Sequence, residues 1–277
     1  MTFGTDPAVF AQMLLLLLAV GGVAGVLAGL LGVGGGIVLV PAFFHVFETL
    51  GYAGPQLMQM CVATSLATIV ITSARSVASH NKKGAVDWVV LRGWAPGIVL
   101  GAGTGVVVVS QLDTLALQII FGALAFCIGL YMAFGRATWR VANELPRGIK
   151  RALISPWIGL ISVLIGVGGG SMGVPLLTLH GRPMHQAVGT AAGFGLLIAA
   201  PSVFGFFFVG MSPEHRPPFT LGVVNGLAFA TVVGMTFLTA PVGARLAHKL
   251  EPRMLRRVFA GFLLVIAANM IRKAIVG

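Results

Sequence analysis

The chain has 277 residues and a net charge of +11, with 57% hydrophobic and only 9% charged residues. An ordinary soluble domain carries roughly 25% charged residues, and a mean hydropathy of +0.98 leaves more apolar surface than one core of this size can hide. These values exclude a water-soluble enzyme, a disordered chain and a secreted disulfide scaffold, and they point to an all-α polytopic membrane protein.

The first twelve residues hold Asp6 and no Lys or Arg, so a cleavable signal is not expected. Charges then cut the chain into apolar runs at 8–47, 49–74, 93–112, 114–135, 152–181, 183–213, 217–244 and 258–271. A spanning helix needs about 20 residues, which predicts eight helical membrane segments. The basic residues fall mostly in the gaps between runs, the positive-inside pattern of membrane proteins. No RNA or DNA motif accompanies the charge, so nucleic acid is not an expected partner. Cys61 and Cys127 sit in apolar runs and read as packing residues. Gly25-x-x-x-Gly29 and Gly101-x-x-x-Gly105 would let helices approach closely.

The first and fifth segments share an interruption. Gly32-Val33-Gly34-Gly35-Gly36 recurs as Gly166-Val167-Gly168-Gly169-Gly170, and Gly25, Leu30, Val40 and Pro41 recur as Gly159, Leu164, Val174 and Pro175. Ala63-Thr64 matches Gly189-Thr190. Later, Gly105, Leu112, Asp113, Leu117 and Phe121 match Gly243, Leu250, Glu251, Leu255 and Phe259. The expected organisation is a tandem duplication: residues 1–135 form one four-segment repeat, 136–151 a basic cytoplasmic linker, and 152–277 a second repeat. If each broken segment dips in and returns, the halves are inverted and both termini lie outside the cytoplasm. Only Arg216, Arg272 and Lys273 among the loop cations are then outside. Single crossings would put more of them there, so the re-entrant arrangement is favoured.

Each Gly costs a helix roughly 1 kcal/mol relative to Ala, so the glycine runs are expected to break their helices. The second pieces start near Gly36 and Gly170, with Pro41 and Pro175 in their early turns. Two helix N-termini then point toward the midplane, and their free N–H groups attract anions. Candidate binding residues are Gly34, Gly35, Gly36, Gly168, Gly169, Gly170 and Ser171 at the breaks. Thr64 and Ser65 in the second segment, with Thr68 and Thr72 beside them, and Thr190 at the matching place in the sixth, could donate hydroxyl protons to an oxyanion. The other reading of such hydroxyls is bonding between helices. Arg75 is the one charge in an otherwise uncharged stretch, placed either to receive an anion or to snorkel to the interface.

All seven acids fall near segment ends or in loops. A carboxylate in mid-membrane is the usual mark of a cation carrier, so cation substrates are disfavoured. Ser171 with His180 or His185 makes only a faint hydrolase pattern, since the matching position is Ile37. The two histidines, five apart around Pro183, are a poor metal pair. No catalytic residue, metal or cofactor is expected. Asn225 and Asn269 read as ties between helices.

Leu31-Gly-Val-Gly-Gly-Gly-Ile-Val-Leu-Val-Pro41, Ala63-Thr-Ser-Leu66 and His80-Asn-Lys-Lys-Gly-Ala-Val-Asp-Trp88 resemble the TauE/SafE family of sulfite and organosulfonate exporters. Ile165-Gly-Val-Gly-Gly-Gly-Ser-Met-Gly-Val-Pro175 with Ala187-Val-Gly-Thr190 is similar to that family's second repeat. The resemblance implies a multi-pass transporter of the bacterial inner membrane that exports a small sulfur-containing anion such as sulfite, sulfoacetate or a related sulfonate. Uptake of a sulfur oxyanion or another small anion, coupled to H+ or Na+, is the alternative. The oligomeric state is left open, a homodimer included. Gly189-Thr190-Ala191 lacks the serine that Ser65 supplies in the first half, so a site shared by both halves would be asymmetric.

Overall fold

A computed structural model describes residues 7–31, 36–135, 140–142, 144–247 and 252–276. They form ten α-helices, one short 3-10 helix (Pro213–His215) and one two-stranded hairpin. Seven helices are long and apolar enough to cross a membrane. These are α1 (Pro7–Leu31), α3 (Leu57–Lys82), α4 (Trp88–Gln111), α5 (Thr114–Phe134), α8 (Met184–Phe206), α9 (Gly226–Ala247) and α10 (Pro252–Val276). The other three, α2 (Gly36–Thr49), α6 (Gly148–Leu164) and α7 (Gly169–Leu179), are shorter.

Residues 32–35 of the first glycine run lie outside the described residues, between α1, described to Leu31, and α2, described from Gly36. The second glycine run interrupts its helix, since α6 stops at Leu164 and α7 starts at Gly169. The run at 152–181 is therefore two short helices rather than one span. Between them Gly166 takes φ +60°, a left-handed conformation that costs an L side chain roughly 1–2 kcal/mol. Pro41 and Pro175 lie inside α2 and α7.

α3 is the most deeply buried of the seven long helices and packs along α8 at the centre. Around this pair, α1 packs on α9, α4 on α6, and α5 on α10, while α2 lies on α3 and α7 on α8. Glycines let the outer pairs close. A methyl group on Gly159 of α6 would strike the Ile98 carbonyl oxygen, and one on Gly101 of α4 would strike that of Pro156. On the other side, Gly243 of α9 lies against the Val26 carbonyl and Gly25 of α1 against Thr239. Gly105 faces Val163. The expectation of close approach is met at Gly25, Gly101 and Gly105, while the surroundings of Gly29 are not among those described.

The hairpin pairs β1 (Thr220–Leu221) with β2 (Val224–Asn225), with Gly222 at φ +58° in its turn. It joins α8 to α9 and brings the Asn225 amide against α3.

Candidate functional site

The start of α2 and the break before α7 meet on one face of α3. Ser65 is fully buried, and its hydroxyl donates to the Gly166 carbonyl at 2.8 Å and lies 3.3 Å from that of Gly36. One side chain thus ties the start of α2 to the break before α7. One turn along, Ile69 fills the space that side chains at Gly36 and Gly168 would need, with atoms 2.7 and 3.1 Å from their Cβ positions. Another turn along, Ser73 lies beside Gly195 of α8, whose own neighbour is the Gly169 amide nitrogen. Residues 65, 69 and 73 are four apart and so share a helix face. That face follows the second break from Gly166 to Gly169.

Glycine is required along this line because backbone meets backbone. A methyl group on Gly169 would strike the Ala191 carbonyl oxygen and the Gly195 nitrogen. Gly168 caps α7 and offers no side-chain acceptor to its first-turn N–H groups. Those groups have no partner within the helix, and they carry its positive dipole end. Ser171 in this first turn is half-buried, and its hydroxyl donates to the Gly168 carbonyl at 3.2 Å.

Gly36, Ser65, Gly168 and Gly169 are brought together, with Gly170 and Ser171 following in the first turn of α7. Gly34 and Gly35 lie outside the described residues. Thr64 and Thr190 stand elsewhere. The Thr64 hydroxyl accepts the Asn225 amide at 3.0 Å, and the Thr190 hydroxyl accepts the Asp87 amide at 2.9 Å. Asn225 accepts the Ala228 amide through Oδ1 and Asp87 accepts that of Val90, so both sit at helix N-termini as caps. The matched threonines anchor the starts of α9 and α4 to the central pair. Asp87 also pairs with Arg182 at 3.1 Å. Thr68 and Thr72 donate within α3, to Ser65 and Thr68 carbonyls. Arg75 is exposed, and its guanidinium stacks over the Phe237 ring of α9 at 3.8 Å.

Among the described residues, no cluster of three or more His, Cys, Asp or Glu is arranged to hold a metal. Ser73, Ile69 and Gly166 were not singled out from the sequence. The fourfold spacing from Ser65 was the signal for the first two. Gly166 had only its place at the head of the glycine run.

A bundle of apolar helices, seven of them long and apolar enough to span, with two shorter ones starting at Gly36 and Gly169 packed on its central pair, defines a polytopic membrane protein. The family model described as "Sulfite exporter TauE/SafE" matches residues 17–270. The chain belongs to the TauE/SafE family. It is 33% identical to a probable membrane transporter protein of Haemophilus influenzae, over 94% of this chain and 98% of that one. A probable membrane transporter protein of Methanocaldococcus jannaschii is 25% identical over 95% of this chain and 97% of its own. Bacillus subtilis YunE, also named a probable membrane transporter protein, is 25% identical over 94% and 98%. No solved structure matches the chain at comparable significance.

Proposed function

We propose that the protein exports a small sulfur-containing anion, such as sulfite or an organosulfonate, across the bacterial inner membrane. The anion binds at the first turn of α7 and at the facing start of α2. The observation that carries this reading is the Ser65 bridge between Gly36 and Gly166, which sets the start of α2 and the break before α7 against one helix face. The family description supplies the sulfur chemistry. Ser65 holds the site together, since its hydroxyl is already engaged with carbonyls. The N–H groups of Gly169, Gly170 and Ser171 are the anion donors in this scheme, and Thr64 and Thr190 brace the helices behind it. Arg75 stays outside it, as an interfacial cation.

The proposal includes two inverted repeats whose broken segments enter from opposite faces. The loop contacts support it. Phe10 near the start of α1 rests 6.2 Å from Phe219, and Gln56, just after α2, donates to the Gly210 carbonyl at 2.7 Å. Both ends of the α1–α2 pair thus reach the 207–225 connection. The α7 end carries Leu179, whose carbonyl accepts the Val141 amide at 2.9 Å, close to where α6 begins. α3 runs between these two ends. The packing of α1 on α9 and α6 on α4 is the exchange expected of two halves related by a pseudo-twofold axis.

In a cell negative inside, the potential drives an anion outward by about 2.3 kcal/mol per elementary charge per 100 mV. Export then needs no mid-membrane carboxylate. The test is current recording from proteoliposomes on a solid-supported membrane, with jumps of sulfite, sulfoacetate, thiosulfate, sulfate and chloride. A current for a sulfur anion that disappears in Gly168→Leu supports the reading. Silence for every anion overturns electrogenic export.

A further inference from the structure

We propose that His45 is the proton-binding site of this carrier, and that loading it releases the outer end of α2 from α10. His45 sits nine residues after Gly36, about 13 Å along the helix. It lines an apolar pocket of about 380 Å³ between α1, α2 and α10, together with Val20, Pro41, Phe262 and Asn269. Donors reach both nitrogens of its half-exposed ring. Lys273 Nζ lies 3.3 Å from Nδ1, and Asn269 Nδ2 lies 3.1 Å from Nε2. An ammonium and an amide NH2 can only donate, and a neutral imidazole has a single acceptor nitrogen. One of the two contacts must therefore give. Reversing the Asn269 amide would satisfy an Nε2–H, but its Oδ1 already accepts from Arg272 at 3.1 Å.

The carboxylate within reach is Glu48, 3.8 Å from Nδ1 and paired with Lys273. An imidazolium presents two N–H donors and no acceptor. It repels Lys273 and draws Glu48 toward Nδ1–H, so the carboxylate exchanges its α10 partner for one on its own helix. The charged groups facing the ring are Glu48 from α2, and Lys273 with Arg272 behind Asn269 from α10. The lining residues of α1, Ala19, Val20 and Val23, bring none. A proton taken from water thus adds a second net positive charge to a cluster that holds one, and the tie between α2 and α10 loosens. Because α2 is a single helix from His45 to Gly36, its displacement reaches the Ser65 contact.

The consequence for transport rests on the central-site reading above, but the test does not. Spin labels on Thr49→Cys and Ile275→Cys, both exposed, in a Cys127→Ser background report the α2–α10 distance in the full chain in lipid nanodiscs. Lowering the pH from 8 to 5.5 should lengthen and broaden that distance. His45→Gln should hold it short at both pH values, and Glu48→Gln should lengthen it at both. A distance insensitive to pH in the otherwise native chain, or a pH response that survives in His45→Gln, overturns the proposal. Nitrogen-15 spectra of the unsubstituted chain give a second readout. Both His45 ring nitrogens should be protonated at pH 5.5, and a ring still neutral there overturns it as well. Neither measurement uses an anion, so a wrong cargo leaves both results unchanged.

Discussion

The Thr64 hydroxyl on α3 accepts the backbone N–H of Asn225, 161 residues further along the chain, at 3.0 Å. Both groups are fully buried. Removing the hydroxyl leaves a buried amide without its acceptor, which costs about 1–3 kcal/mol. Thr64→Val should lower the unfolding temperature in detergent, and Thr64→Ser should restore it. The same pair of substitutions at Thr190 should behave alike through Asp87.

Gly159 and Gly103 predict opposite outcomes. The Cβ of Gly159→Ala would lie 2.2 Å from the Ile98 carbonyl oxygen and 2.7 Å from the Ala102 nitrogen, and that of Gly103→Ala would meet nothing within 4 Å. Backbone cannot swing aside as a flexible side chain can. Gly159→Ala should separate α4 from α6 and reduce folded yield on size-exclusion chromatography. Gly103→Ala should gain up to about 1 kcal/mol from helix propensity and elute unchanged.

At Gly166 the backbone φ of +60° and the nearby Val40 and Val62 both resist a side chain. Gly166→Ala should cost at least about 1–2 kcal/mol from the left-handed conformation alone. Thermal unfolding of the variant beside Gly210→Ala, where a side chain meets nothing within 4 Å, separates this from a general glycine effect.

Arg75→Gln tests the outer limit of the site. Its guanidinium lies on an exposed aromatic face, where a cation–π contact is worth about 0.5–1 kcal/mol. Transport KM should change by less than about threefold, whereas Ser171→Pro, which forces a ring into the first turn of α7 and removes an N–H, should abolish it. A Ser171→Ala control should keep most of the activity, because the amide remains.

Much of this architecture was legible from residues alone. Charges marked the helix limits because an ion inside a bilayer is expensive, and the second glycine run announced its break because glycine in a helix is. What the sequence hid were long-range partners. Thr64 and Thr190 matched one another at corresponding places, yet their partners lie 161 and 103 residues away. Nothing local says that these hydroxyls accept from capping residues. Asn225 read as a tie between helices and is also an N-cap, a role fixed by the hairpin that precedes it. Ser73 shares its face with Ser65 at a fourfold spacing, but only the position of Gly195 reveals what that face meets.

The pairing of α1 with α9 also sets an order of events during synthesis. About two hundred residues separate the end of α1 from the start of α9, so α1 enters the bilayer long before its partner exists. Until then its glycine-bearing face around Gly21 and Gly25 meets lipid or the insertion machinery. α4 has a much shorter wait for α6. The nascent chain therefore joins α4 to α6 before either other outer pair, and a ribosome halted before residue 226 leaves both α1 and α5 as unsealed seams.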